Sequence, residues 1–201
     1  MDAQRRDCLL RAMLKELVGK GYGDASAEAA REAAGVSAAE FEAEFSGKDD
    51  CLFVAYDRIT ENVVRRASAE CDQAEPWPER VRLGLERLLW AVAEHPEMAQ
   101  ALTRSFPGIR PAAYERYVAL LSRFVPFMRE GREYSGVEEE LPGEVELLAV
   151  GAAEAIIFSE VDAGRAERLP QMLPEILFSV LVPFMGPDRA ADEMRSAAIS
   201  S

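Results

Sequence analysis

The chain has 201 residues, 49% of them hydrophobic, which is enough apolar material to bury a core and excludes a disordered polymer. With 23 basic residues against 36 acidic ones, the formal charge of -13 excludes any general attraction to nucleic acid or anionic lipid, so a polyanion must meet a local patch. One histidine, His95, rules out a histidine-based triad or a multi-histidine metal site, and the unpaired spacing of Cys8, Cys51 and Cys71 reads as reduced packing residues.

Val, Ile and Thr never cluster in the alternating pattern of strands, whereas Ala, Leu, Glu and Arg dominate, so the expected fold is all-α. A first amphipathic helix is expected over about 4–18, with Leu9, Leu10, Met13, Leu14, Leu17 and Val18 on one face and Gly19 and Gly21 as stops. Ser26 offers an N-cap for a short second helix to Ala34. Gly35 breaks it, and Ser37 caps a third helix to about Glu44, with Glu40 placed to complete a capping box. A long fourth helix follows over about 49–71.

The prolines of Glu75-Pro76-Trp77-Pro78 mark a boundary, and a larger helical unit follows. Its helices are expected over about 78–94, 96–105, 111–131 with a kink at Pro126, 142–163 and 166–185. His95, just before Pro96, is expected to face the end of a helix dipole. Residues 131–143, with Glu138, Glu139 and Glu140, read as a solvated loop, and 187–201 as a frayed tail. The resulting divisions are 1–48 for a small N-terminal unit, 49–73 for a connecting helix, 74–186 for the larger unit and 187–201 for the tail. No apolar run approaches the ~20 residues of a membrane span, so a cytoplasmic protein without membrane contact is expected.

Three short helices with a glycine-containing break between the second and third have the layout of a helix-turn-helix module. The order Gly21-Tyr22, Ala34-Gly35-Val36-Ser37, Phe41, Phe45 and Lys48, followed by Asp50-Cys51-Leu52-Phe53 opening a long helix, resembles the TetR family of bacterial transcription regulators. Gly35 supplies the positive φ of a tight interhelical turn, Val36 points into the three-helix core and Ser37 caps the recognition helix. The resemblance implies a homodimer that binds operator DNA, with a divergent helical effector domain whose last two helices pair with a second copy. The apolar surplus on 144–161 and 169–185 suits that pairing, and Ile156, Leu173, Ile176, Leu177, Val180 and Leu181 are the candidate interface residues.

The recognition helix departs from the family. It reads Ser37-Ala38-Ala39-Glu40-Phe41-Glu42-Ala43-Glu44-Phe45, placing Glu42 and Glu44 at the positions that match the family's phosphate-contacting tyrosine and histidine, and a carboxylate close to a phosphate is repelled. Residues 1–50 hold seven bases against eleven acids. Ala30-Arg31 also departs, standing where the family prefers a branched apolar residue followed by alanine. Two readings follow. In one, Arg5, Arg6, Arg11 and Lys48 with helix N-termini, Ser26, Ser37, Ala38 and Ala39 among the contacts, grip phosphates while Glu42 and Glu44 point away or accept from cytosine amino groups. In the other, the fold persists as a sensor or partner-binding protein without ordinary operator binding.

Trp90, Met98, Phe106, Tyr114, Tyr117, Phe124, Phe127 and Met128 recur at helical spacing and would line a pocket or pack a core. The resemblance favours a pocket for a small apolar or aromatic effector. Arg123 and Glu154 are candidates for a charge beside it. Carboxylate pairs such as Glu140 with Glu144, or Glu94 with Glu97, are what abundant glutamate produces by chance. There is no phosphate-cradling glycine loop and no nucleophile elbow, so neither an enzyme nor a cofactor is expected.

Overall fold

The computed structural model describes residues 1–71, 75–135 and 141–200, and they are helical with no strand among them. The acidic run at 138–140 therefore lies outside the described residues, as does the side chain of Cys71. Two compact units result, one of Met1–Asn62 with Glu97–Arg116, the other of Val63–Pro96 with Tyr117–Ser201. The sequence had suggested divisions at 48 and 74; in the structure the long fourth helix runs through both units, and residues 97–116 join the N-terminal helices.

In the first unit, α1 (Ala3–Asp24) is capped by Asp2, whose carboxylate accepts from the Arg5 amide at 2.9 Å. The helix passes the expected stop at Gly19 and breaks only at Gly21, where φ is 74°. Leu9, Leu10, Met13, Leu14 and Leu17 are all buried, as their shared face requires. α2 (Ala27–Ala33) starts at Ser26, which accepts from the Ala29 amide, and α3 (Ala38–Glu42) starts at Ser37 with both halves of the capping box formed. Gly35 takes φ 64° in the turn between them, and Val36 is buried. The departure at Ala30-Arg31 is compensated locally. Ala30 is buried, and the Arg31 guanidinium donates to the Val36 carbonyl at 3.0 Å across the turn.

α4 (Lys48–Cys71) presents Cys51, Leu52, Ala55 and Tyr56 to the core of this unit. Burial pushes the Cys51 thiol up to about 12, as suits a packing cysteine, while Cys8 is exposed. The helix expected over 96–105 is α6 (Pro96–Gln100) followed by a π-helical turn, Ala101–Ser105, after which Phe106 stacks on Tyr56 with centroids 3.8 Å apart.

The second unit holds α5 (Trp77–Ala93), α8 (Val125–Met128), α9 (Val145–Asp162) and α10 (Leu173–Ser200), with α7 (Pro111–Ser122) entering it from the first. Pro126 does more than kink a helix over 111–131. It opens the short α8, and Arg129–Tyr134 continues as a 3-10 turn, so this part of the expected loop is helical. Glu146 is buried on α9 and receives Arg132 in a two-pronged ion pair at 2.5 and 2.9 Å, while the same guanidinium donates to the carbonyls of Pro142 and Gly143. That guanidinium holds the Glu146 carboxyl below the usual range.

Two expectations fail here. The tail is helical, since α10 resumes after Gly186 (φ 77°), buries Ala190 and Ala197, and is tied by Arg189 to the Tyr134 carbonyl. Moreover, Ala166–Ala198 is long and apolar enough to cross a membrane by length and composition, which the sequence had been read to exclude. Its apolar side chains fill the unit instead. Leu169, Ile176, Leu181 and Phe184 are 0% exposed, the signature of a core helix.

Candidate functional site

The helix-turn-helix face is built by α2, the Gly35 turn and α3. Ser37, Ala38, Ala39, Glu42 and Glu44 are exposed on it, as expected, whereas Ser26 spends its oxygen capping α2. The cations expected to grip phosphates are engaged within the chain. Arg5 reaches Glu40 with two nitrogens, at 2.7 and 3.0 Å, and also donates to the Gly35 carbonyl. Arg6 pairs with Glu44 at 3.3 Å and lies over the Phe45 ring, and Lys48 donates to the Tyr22 carbonyl at 2.7 Å with its ammonium 4.4 Å from that ring. Tyr22 is itself fixed, donating to Asp49, which also receives Arg110.

Glu40 is thus a structural residue of the module. Hydrogen bonds from Arg5, then from the Ser37 hydroxyl and amide, hold its carboxyl at about 2. A depressed carboxylate stabilises the fold above its unfolded value, and that contribution is lost as pH falls from the ordinary range through about 2. The Glu40 carboxyl, followed by NMR, is therefore expected to titrate near 2 and to move towards its ordinary value of 4.5 in Arg5→Ala. Titration of the parent protein at the ordinary value would refute the assignment.

A cavity of about 100 Å3 lies in the second unit. α5 supplies Val81, Gly84, Leu85 and Leu88; α8 and its approach supply Phe124, Phe127 and Met128; α9 supplies Val150, Ala153, Glu154 and Ile157. Of the residues expected to line a pocket, the structure brings Phe124, Phe127 and Met128 there. Phe106 is fully buried in the first unit, where Met98 and Tyr114 also belong, and Trp90 is half exposed on the outside of α5. Tyr117 does not line the cavity but its hydroxyl donates to Glu154, which does. Helical spacing placed the aromatics on helix faces; which face meets the cavity depends on packing partners that a single helix does not reveal.

Leu173, Ile176, Leu177, Val180 and Leu181 are at most 2% exposed, packed inside the single chain, and Ile156 is half-buried. They are core residues, so a partner copy has no access to those five. Uncovered apolar side chains stand instead on α9, where Leu147, Leu148 and Phe158 are 47%, 62% and 37% exposed, with Trp90, Tyr114 and Val118 exposed elsewhere. Leu147 and Phe158, eleven residues apart, fall on one helix face. The signal in the sequence was the continuous apolar run of α9, too wide for one buried stripe.

No protein-family model matches the sequence, and no curated protein matches it. Solved structures do match. The fatty acid degradation regulator FadR from Bacillus halodurans superposes with a TM-score of 0.75 at 15% identity, over 87% of this chain and 97% of that one. A TetR family transcription regulator from Marinobacter aquaeolei VT8 superposes with a TM-score of 0.61 at 17% identity, over 98% of this chain and 95% of that one. The chain therefore shares the all-α fold of these two regulators. The likeness runs along nearly its whole length.

Proposed function

We propose that the chain is a ligand-responsive transcription regulator that binds DNA as a homodimer through α2 and α3. The observation that carries this reading is the intact helix-turn-helix core, with Gly35 at positive φ and the Ser37–Glu40 capping box, within a TetR-type fold. The exposed α9 stripe of Leu147, Leu148 and Phe158 supports a self-complementary helical interface. The apolar cavity of about 100 Å3 supports a small apolar or aromatic effector. An effector there would shift the spacing of the two recognition helices away from successive major grooves ~34–36 Å apart, with α4, which runs through both units, as the link.

Selection of bound fragments from genomic DNA at low and moderate salt tests the DNA claim, with enrichment of a palindromic site as the expected result. Sedimentation tests the dimer, which Leu148→Glu should weaken; a monomer at micromolar concentration would remove that claim. A second reading, a sensor or partner-binding protein without an operator, is favoured by the engagement of Arg5, Arg6 and Lys48 in internal contacts. Failure to enrich any site would support it.

A further inference from the structure

The cavity of the second unit is lined almost wholly by hydrocarbon, and Glu154 is the one ionisable residue among the described residues that line it. Its Oε1 accepts from the Tyr117 hydroxyl, which fixes the orientation of the carboxylate, and its Oε2 has no hydrogen-bond partner among the described residues. Ser68, the other polar residue on the wall, has its hydroxyl donated to the Val64 carbonyl at 2.7 Å. The rings of Phe124 and Phe127 line the same space, tilted with centroids 6.5 Å apart.

We infer that the cavity takes a small apolar molecule carrying one protonated amine, received by Glu154; this rests on the reading of the cavity as an effector site. A ligand carboxylate beside Glu154 would set two like charges against each other in apolar surroundings. A pure hydrocarbon offers the one carboxylate among the lining residues no hydrogen bond. An ammonium has only donors to offer and forms a charge-assisted hydrogen bond to Oε2, while the Phe124 and Phe127 faces favour a nearby cation. The chemistry of the wall thus selects against the anionic head of a free fatty acid and for an amine of the same bulk.

Calorimetric titration of the full chain with benzylamine, benzyl alcohol and benzoate at neutral pH tests this. Benzylamine is expected to bind about tenfold more tightly than benzyl alcohol, with benzoate weakest. Glu154→Gln should bring the amine down to the level of the alcohol and leave the alcohol unchanged, and Tyr117→Phe should reduce the amine preference without abolishing it. Ala153→Phe, which fills the cavity, should remove binding of all three. Benzoate binding as tightly as benzylamine, an amine preference that survives Glu154→Gln, or binding that survives Ala153→Phe would each overturn the inference. Binding of the alcohol and benzoate without amine preference would sink this inference and leave the effector site standing; no binding by any of the three would sink both.

Discussion

Replacing Glu42 and Glu44 together by glutamine is expected to strengthen binding to duplex DNA of arbitrary sequence about tenfold at low salt, and to steepen the salt dependence of log K by about one. Both carboxylates are exposed, Glu42 at the end of α3 and Glu44 just beyond it, on the face that the proposed reading sets against phosphates. Two unit charges 4 Å apart in water interact by about 1 kcal/mol, so removing the two repulsions, partly screened, accounts for the size of the effect. The steeper slope has a separate origin. Glu44 holds Arg6, and without that partner the guanidinium becomes available to one phosphate and its counterion. Adding Arg6→Ala to the double variant should therefore return the slope to its starting value while keeping most of the gain at fixed salt. Fluorescence anisotropy across a salt series reads both quantities. If the glutamates instead read bases, the double variant will lose sequence preference with little change in nonspecific affinity. If neither protein binds at low salt, the internal pairing of Arg5, Arg6 and Lys48 is the resting state of a module without an operator.

Gly131→Ala is expected to be the most damaging single methyl in the second unit. A Cβ at this position would stand 2.6 Å from ring atoms of both Phe184 and Trp77. Neither ring can retreat easily, being 0% and 1% exposed and packed edge-to-face against each other at 5.3 Å. Trp77 is further held by its indole N–H donating to the Phe127 carbonyl at 2.9 Å, and by the Tyr134 ring on its other side. Overpacking of this kind costs about 1–3 kcal/mol, which in a domain of this size lowers Tm by a few to about ten degrees. Gly19→Ala is the control. Gly19 lies within α1, a Cβ there meets nothing within 4 Å, and the change should stabilise by about 0.5–1 kcal/mol through helix propensity. Thermal unfolding of both variants checks the pair, and equal melting temperatures would show that the rings yield.

Much of the N-terminal module was legible in residue order because its determinants are local. A glycine at positive φ, a serine followed three residues later by glutamate, and leucines at helical spacing act within one or two turns of backbone, so Gly35, the Ser37–Glu40 box and the buried face of α1 are found where they were expected. The all-α fold followed for the same reason. The tail was misread because Gly and Pro near 186–187 look like a stop, yet burial of Ala190 and Ala197 outweighs the break and lets the helix resume. Which partners the basic residues at the N-terminus take was decided only by tertiary structure, since those of Arg5 and Arg6 lie more than thirty residues away on α3 and just beyond it. The same holds for the apolar helices. Composition showed that α9 and α10 carry more hydrophobic surface than one stripe needs, but side chains on every face of a helix are equivalent until neighbours arrive. Packing then enclosed α10 within the unit, left Leu147, Leu148 and Phe158 of α9 uncovered, and set Glu154 among the residues that line a cavity of hydrocarbon, because burial is a property of the assembled chain and not of any one segment.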